Sequence, residues 1–257
     1  MKLKFTRRDF VISTAKVMAV GLLSPAGALA ATKLASAEDS SQLNPTLKQW
    51  AGKEWTFVVD TAKCIGCASC VKACKKENSV PMDKEVYRTW VERYLVDKDG
   101  EVRIDSPRGG VDFQQQVIKP EKQFFVPKLC NQCQHAPCIQ VCPVGATYRT
   151  GDGVVLVDRK RCIGCGYCIQ ACPYSARFLH PVLNVADKCT WCYHRISNGM
   201  LPACVQVCPM GARKFGNLKD PASEVVTLKK KSRMRVVKLD LGTKPNVFYI
   251  DLDEVVK

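Results

Sequence analysis

Sixteen cysteines constrain this chain of 257 residues more than any other feature of its sequence. They fall into four groups of four, and none is left over. In chain order these predicted metal-binding groups are Cys64, Cys67, Cys70 and Cys74; Cys130, Cys133, Cys138 and Cys142; Cys162, Cys165, Cys168 and Cys172; and Cys189, Cys192, Cys204 and Cys208. Four complete sets of thiols predict four metal centres.

The first and third groups have the spacing of bacterial two-cluster ferredoxins. Two residues separate each of the first three cysteines, and three residues separate the third from the fourth. In such loops three thiolates bind one [4Fe–4S] cluster and the fourth binds the other cluster. We expect the fourth cysteine to enter a short helix, with the proline that follows it in groups two to four at the helix start. Group one has Lys75 in place of that proline.

The first 37 residues have the profile of an export signal. Arg7 and Arg8 precede an acidic residue, phenylalanine and an aliphatic residue, which resembles a twin-arginine signal. The alternative is a membrane anchor. The apolar run Val17–Ala31 argues against it, because this run is shorter than the roughly 20 residues that span a bilayer. Candidate cleavage sites follow Ala30 and Ala37. The sequence therefore predicts a periplasmic protein, peripheral on the outer face of the cytoplasmic membrane.

Disulfides and zinc are the alternative uses of the cysteines. Exported proteins with an even number of cysteines usually form disulfides, but the compact spacing crowds four thiols onto one loop, where they pair poorly. Zinc takes separated Cys-x2-Cys pairs, which only group four resembles. The full pattern favours four [4Fe–4S] clusters, with about sixteen iron atoms.

An internal repeat relates group one to group three and group two to group four. Val58–Cys67 aligns with Leu156–Cys165, and Cys138–Ala146 aligns with Cys204–Ala212. We therefore predict an α+β chain of duplicated bacterial ferredoxin-like domains, each built for two clusters, with an inserted β-hairpin lobe and a C-terminal extension. One-turn helices should follow the cluster loops. The strands expected before the loops are Thr56–Asp60 and Val154–Asp158.

Two pairs of residues inside the repeated loops have predicted local roles. Gly66 and Gly164 should supply backbone torsions that other residues avoid, and let N–H groups approach the sulfurs. Ile65 and Ile163 should shield the clusters from water, with ordinary core packing as the alternative.

The remaining segments hold no cysteine. Within residues 75–129, Tyr87–Val96 and Glu101–Ile104 predict a hairpin in an inserted lobe. Residues 213–257 are expected to form a C-terminal docking tail. The basic run Lys229–Arg235 in this tail is interpreted as solvated rather than as a docking site.

The net charge of +15 invites a nucleic-acid interpretation. Residues 1–37 contain six basic residues and one acidic residue, so cleavage would leave about +10. Each oxidised cluster with four thiolates carries −2, which brings the loaded chain to about +2. We therefore expect no nucleic-acid partner.

Four further motifs accompany the cysteine groups: Lys188–Cys192, Leu201–Cys204, Phe215–Pro221 and Leu241–Tyr249. With the cysteine groups, these motifs make the chain resemble the DMSO reductase iron–sulfur subunit family, which includes subunits of polysulfide, tetrathionate and formate-dependent nitrite reductases. The resemblance covers roughly Trp55 to Tyr249 and implies four clusters in a relay. The implied partners are an integral membrane quinone-handling subunit of the polysulfide-reductase type and a catalytic molybdopterin-type or multihaem cytochrome subunit.

The resemblance also implies which groups share clusters: one with four, and two with three. Residues 55–74 and 185–212 then form one ferredoxin-like module, and residues 130–180 form the other. The implied ligand sets are Cys64, Cys67, Cys70 with Cys208; Cys189, Cys192, Cys204 with Cys74; Cys130, Cys133, Cys138 with Cys172; and Cys162, Cys165, Cys168 with Cys142.

No catalytic constellation is evident in the sequence. We find no nucleophile–base arrangement, phosphate loop or paired carboxylates, and we assign structural roles to His135, His180 and His194. The prediction is an electron-transfer subunit without a substrate site. The alternatives are a free-standing exported polyferredoxin and a ferredoxin-like enzyme with its own substrate.

Overall fold

The computed structural model describes residues 52–115 and 119–256, so the predicted signal in residues 1–37 lies outside the described part. None of the described helices is long and apolar enough to cross a membrane. The helices are α1 (Ser69–Glu77), α2 (Pro137–Gln140), α3 (Tyr167–Gln170), α4 (Tyr193–Ile196), α5 (Ala203–Gln206) and α6 (Glu224–Lys231). The strands are β1 (Trp55–Asp60), β2 (Thr89–Val96), β3 (Val102–Asp105), β4 (Lys122–Leu129), β5 (Thr147–Arg149), β6 (Val155–Val157), β7 (Arg177–Leu179), β8 (Ala186–Lys188), β9 (Arg213–Asn217), β10 (Met234–Arg235) and β11 (Val247–Ile250). Short 3-10 turns are Pro107–Gly109 and Leu239–Leu241.

The largest sheet has the strand order β10-β11-β1-β9. Strand β1 pairs in parallel with β11, with Phe57 opposite Val247, and antiparallel with β9, with Phe57 opposite Phe215. Val247 and Tyr249 in β11 are fully buried. Residues 213–257, predicted as a docking tail, therefore supply three of the four strands of this sheet, because their apolar side chains complete the core around β1.

The predicted hairpin is present as β2 and β3, which pair antiparallel with Tyr94 opposite Ile104. Strand β4 joins the other side of β2, where Tyr94 and Phe124 stack with ring centroids 5.1 Å apart. Strand β4 is not among the strands predicted from the sequence, because Pro127 within it argues against a strand. Its position at the sheet edge accommodates that proline.

Two equivalent backbone hydrogen bonds relate the two repeated halves. The N–H of Asp60 donates to the carbonyl of Ala212 at 2.8 Å, and the N–H of Asp158 donates to that of Ala146 at 2.7 Å. Asp60 aligns with Asp158 in the sequence repeat, as Ala212 aligns with Ala146. The strand pairs β1–β9 and β6–β5 therefore join group one to group four in the same way as group three to group two.

The fourth cysteine of groups two, three and four does not enter a helix, which corrects the prediction from the closing proline. In each group a one-turn helix contains the third cysteine and ends before the fourth. The residue before a proline avoids the α region, so the helix must stop there. The turns that follow close with N–H···O bonds from Gly145, Ser175 and Gly211 to the carbonyls of Cys142, Cys172 and Cys208, at 3.2, 3.3 and 3.2 Å.

Helix α1 is longer than predicted because group one lacks that proline. With Lys75 after Cys74, the helix continues through the fourth cysteine to Glu77. It ends where Ser79 adopts a φ of +53° and the N–H of Val80 donates to the carbonyl of Lys75 at 3.0 Å. This is the hydrogen bond of a Schellman-type helix end.

Candidate iron–sulfur sites

Three cysteines of group one and one of group four line a single cavity. Cys64, Cys67 and Cys70 come from the loop before α1 and its first turn, whereas Cys208 follows α5. Cys74, the last cysteine of group one, is not among the lining residues.

A second cavity is also lined by three cysteines of one group and the last cysteine of another. Three cysteines of group two, Cys130, Cys133 and Cys138, line it together with Cys172, the last cysteine of group three. In both cavities the structure thus brings three thiols of one group to the last thiol of another.

Cys74 faces the other three cysteines of group four. The Nδ2 of Asn78 lies 3.6 Å from the Sγ atoms of both Cys74 and Cys192. Burial raises the pKa of the Cys74 thiol, and the charges of Cys189, Cys204 and Cys192 raise it further. These four thiols therefore lie within electrostatic range of one another, and they form the third candidate cluster site.

The thiols of Cys142, Cys162, Cys165 and Cys168 occupy positions equivalent to those of the first cavity. Cys162, Cys165 and Cys168 align with Cys64, Cys67 and Cys70, and Cys142 aligns with Cys208. The matching backbone bonds of Asp60 and Asp158 anchor both segments alike. The grouping of this fourth set rests on that equivalence.

Backbone N–H groups point at several of the sulfurs, as an anionic thiolate ligand requires. Glycines at the repeated positions make room for this arrangement. Gly66 has a φ of +71° and Gly164 a φ of +70°, which confirms the predicted torsions. A side chain would also clash at both positions. A Cβ atom would lie 2.5 Å from the Phe125 ring at Gly66, and 2.5 Å from the carbonyl oxygen of Asn184 at Gly164. The N–H···Sγ pairs at 3.4 Å are Thr147 to Cys142, Ala186 to Cys162 and Trp191 to Cys189.

Several of the clustered thiols resist ionisation, because burial raises their pKa above the ordinary value for a thiol. Burial raises the pKa of Cys64 to about 11, and of Cys133 and Cys204 to about 12, with neighbouring thiols adding to the effect. The pKa of Cys142 is lowered, because N–H groups including that of Thr147 outweigh the effect of burial. Since iron binds the thiolate, ligation would release protons from these sites.

Two buried arginines provide a test of whether the cavities suit an anionic cluster. Arg213 lines the first cavity and Arg177 the second, and they are 1% and 4% exposed. Nη1 of Arg213 and Nη2 of Arg177 have no hydrogen-bond partner within residues 52–115 and 119–256. A buried guanidinium needs a counter-charge. A [4Fe–4S] cluster with four thiolates carries −2, so the residues present fit this group.

The alternative uses of the cysteines, and the alternative role of the isoleucines, find less support. All sixteen cysteines are free thiols. In the described part of the chain, no three Cys, His, Asp or Glu side chains are grouped so that they could hold a single metal ion. Core packing of Ile65 and Ile163 is wrong, since these side chains are 55% and 64% exposed.

The three histidines have local partners. Nδ1 of His180 accepts the backbone N–H groups of Val182 and Leu183, each at 3.3 Å. Nε2 of His194 lies 2.8 Å from Oε1 of Glu77, and the N–H of His135 donates to the carbonyl of Thr243 at 3.0 Å. The imidazoles of His180 and His194 thus have partners within the fold, whereas the bond of His135 involves only its backbone, and the structural roles stay a prediction.

A buried polar network beside Cys74 is not evident from the sequence. Nη1 of Arg88 donates to Oδ1 of Asn78 at 2.8 Å, and its Nη2 lies 2.8 Å from Oδ1 of Asp187. The side chains of Arg88 and Asp187 are each 5% exposed. No motif in the sequence marks these three residues, because they meet only in the folded chain.

Comparisons with known proteins indicate [4Fe–4S] clusters in this chain. Residues 63–146 and residues 121–218 each match a family described as a 4Fe-4S dicluster domain. A tetrathionate reductase subunit of Salmonella typhimurium is 42% identical over 202 residues, 78% of this chain and 73% of the relative. A second relative, from Archaeoglobus fulgidus, is also named as a tetrathionate reductase subunit. It is 44% identical over 218 residues, which are 84% of this chain and 92% of the relative. The chain belongs to the DMSO reductase iron–sulfur subunit family.

A relative from Archaeoglobus fulgidus named Hdr-like menaquinol oxidoreductase iron-sulfur subunit 1 is 32% identical to this chain over 289 residues, 96% of this chain and 98% of the relative. Members of this family are iron–sulfur electron-transfer subunits of reductase complexes and are not themselves catalytic subunits. The predicted resemblance and the prediction of a non-catalytic subunit are therefore confirmed, as is a chain with two ferredoxin-like dicluster domains.

Proposed function

We propose that the chain relays electrons through four [4Fe–4S] clusters, between an integral membrane quinone-handling subunit and a periplasmic catalytic molybdopterin-type or multihaem cytochrome subunit. The observation that carries this proposal is the crossed composition of the cavities: Cys208 lies with group one and Cys172 with group two. A two-cluster ferredoxin has this arrangement, in which the last cysteine of each loop serves the other cluster. The clusters, when bound, supply one-electron transfer.

The proposed ligand sets extend this crossing to all sixteen thiols. The environment of Cys74 supports its assignment to group four, and the repeat supports that of Cys142 to group three. The sets are Cys64, Cys67, Cys70 with Cys208; Cys74 with Cys189, Cys192, Cys204; Cys130, Cys133, Cys138 with Cys172; and Cys142 with Cys162, Cys165, Cys168. We refer to them as sets A, B, C and D in this order.

Contacts between the sets support a linear order A, B, C, D. Burial raises the pKa of Cys189 of set B, and Cys130 of set C is among the thiols whose charge raises it further. Nε2 of Gln132 donates to the carbonyl of Cys189 at 2.9 Å across the same boundary. Sets A and B lie in one proposed module, and C and D in the other. A line of four sites can connect partners that are too far apart for one electron transfer.

Exposed apolar side chains beside both terminal sets support two docking partners. Ile65 and Met210, 55% and 48% exposed, line the cavity of set A. Ile163, next to Cys162, and Val144, near Cys142, are 64% and 36% exposed beside set D. Apolar surface of this kind is typical of protein contacts. A relative named as a menaquinol oxidoreductase subunit supports a quinone-handling partner at one end.

The proposed location is the outer face of the cytoplasmic membrane. The twin-arginine pattern at Arg7 and Arg8 supports export of a folded protein, which suits clusters assembled in the cytoplasm.

Anaerobic purification of the native protein from membranes tests the proposal. We expect larger partner subunits to co-purify, about sixteen irons with equal acid-labile sulfide per chain, and reduction of the iron by a quinol. Eight irons or stoichiometric zinc would contradict the four clusters. A fully loaded chain that runs alone and accepts no electrons from a quinol would favour the free-standing polyferredoxin.

A further inference from the structure

Arg177 and Arg213 occupy equivalent positions, each five residues after the last cysteine of its group. The segments read Cys-Pro-Tyr-Ser-Ala-Arg177 and Cys-Pro-Met-Gly-Ala-Arg213. Each guanidinium donates to a threonine hydroxyl: Nη1 of Arg177 to Thr147 at 3.3 Å, and Nη2 of Arg213 to Thr89 at 2.8 Å. The corresponding positions in groups one and two hold Ser79 and Thr147, so such an arginine occurs once for sets A and B and once for sets C and D.

Each arginine lies beside the thiols of two neighbouring sets. Arg213 lines the cavity of set A, and the charges of Cys70 and Cys64 in set A and of Cys204 in set B act on it. Arg177 lines the cavity of set C and interacts in the same way with Cys130 and Cys138 of that set. The thiol of set D that acts on Arg177 is Cys168.

Neither arginine has an acidic partner in the part of the chain that the structure describes. Arg88, which is buried to a similar extent, pairs with Asp187 at 2.8 Å. The buried Lys188 donates its Nζ to the carbonyl oxygens of Val155 and Cys189. Arg177 and Arg213 instead each keep one Nη atom without a partner. Within the described residues, the thiols of the neighbouring sets are therefore the main groups that can balance the charge of these two arginines.

We propose that Arg213 sets the reduction potentials of the clusters in sets A and B together, and that Arg177 does so for sets C and D. This inference rests on the proposed four-cluster function. A fixed positive charge stabilises the reduced cluster, which carries one more negative charge, so the arginine raises the potential of both neighbours. Because the charge acts on thiols of both sets, it raises the two potentials together. The arginines are positioning residues and transfer no electron themselves.

The test is a potentiometric titration, followed by electron paramagnetic resonance, of the cluster-loaded full chain and four variants. In Arg213→Gln we expect the two clusters of sets A and B to become at least tenfold harder to reduce, a fall of about 59 mV each. Sets C and D should shift less than threefold. Arg177→Gln should give the complementary pattern. In Arg213→Lys and Arg177→Lys the potentials should stay close to those of the wild-type chain, because lysine keeps the positive charge.

Iron content separates the possible outcomes. If the wild-type chain does not hold four clusters, the proposed function fails. If it holds four but neither Gln variant shifts its pair selectively, only this inference is overturned. Loss of iron in the Gln variants with full retention in the Lys variants supports a requirement for the charge. Loss of iron in both kinds of variant shows a packing role and overturns the inference.

Discussion

Cys74 and Cys192 share one hydrogen-bond donor: Nδ2 of Asn78 lies 3.6 Å from both Sγ atoms. Asn78 is itself held by Arg88, whose Nη1 donates to its Oδ1 at 2.8 Å. One amide group therefore contacts the two halves of set B, which come from distant parts of the chain. A donor to a ligating sulfur stabilises the reduced state of a cluster.

Replacement of this amide should affect one cluster selectively. In Asn78→Leu we expect the potential of the set B cluster to fall, by the equivalent of about 1 kcal/mol, and the other three to stay within experimental error. The loss of a partner for Arg88 should also lower the free energy of unfolding by about 1–3 kcal/mol. Redox titration and chemical denaturation measure the two effects.

Asn198→Leu is the matched control for this variant. Asn198 is exposed and donates its Nδ2 to the carbonyl of His194 at 2.7 Å. Its replacement should leave all four potentials unchanged. Equal shifts in both variants would show that Asn78 has no special relationship with set B.

Single cysteine replacements test the crossed ligand sets. Because Cys208 lines the cavity of Cys67, Cys208→Ser and Cys67→Ser should alter the same cluster signal and each reduce the iron content from about sixteen to about twelve. Cys192→Ser should alter a different signal. If Cys208→Ser instead matches Cys192→Ser, each group binds its own cluster and the crossed sets are wrong.

The buried ion pair of Arg88 and Asp187 should contribute far more to stability than an exposed pair. Both side chains are 5% exposed, and removal of Arg88 leaves a buried carboxylate whose remaining cation, Arg159, lies 3.7 Å away. Arg88→Met should cost about 3–5 kcal/mol. Arg103→Met, which breaks the exposed pair with Asp97 at 3.1 Å, should cost less than about 1 kcal/mol. Denaturant titrations of the two loaded variants provide the comparison, and equal costs would contradict it.

Local patterns in the sequence predict the strands next to the cysteine loops within one or two residues. Thr56–Asp60 appears as β1 and Val154–Asp158 as β6, because each short run of apolar residues lies directly before its loop. Strand pairings between distant segments of the chain cannot be predicted from such local patterns. Nothing near Phe57 indicates that Val247 will lie beside it in a parallel pair, since that choice depends on the whole core.

The candidate sites show the same division. The cysteine spacing and the repeat predict the thiols that meet in the cavities, because the motif itself encodes their geometry. Asn78 and Arg88 carry no motif, and their contacts with Cys192 and Asp187 form only on folding. The buried arginines did leave a signal, since the pattern Cys-Pro-x-x-Ala-Arg occurs in both groups three and four.

The exposed isoleucines beside the terminal sets should be required for docking but not for cluster assembly. Ile65→Asp and Ile163→Asp place a charge on the apolar surfaces next to sets A and D, so each should reduce co-purification with one partner by at least tenfold. Iron content should remain at the wild-type level. Ile104→Asp is the control, because Ile104 is also 55% exposed but lies on β3 of the hairpin. Retained complexes in both Ile65→Asp and Ile163→Asp would rule out these surfaces.

The twin-arginine pair should determine where the protein works. Arg7 and Arg8 lie outside the described residues, so this prediction depends on their sequence pattern alone. Replacement of both by lysine keeps the charge but removes the paired guanidinium groups that such a signal contains. We expect the double variant to remain in the cytoplasm with its full iron content, and quinol-linked electron transfer in membranes to fall to the level of cells that lack the protein. Cell fractionation with iron analysis measures the first effect, and quinol oxidation by washed membranes the second. If the double variant still reaches the periplasm, the assignment of the signal is wrong. If it stays in the cytoplasm while membrane activity is unchanged, the protein does not work at the outer face of the membrane.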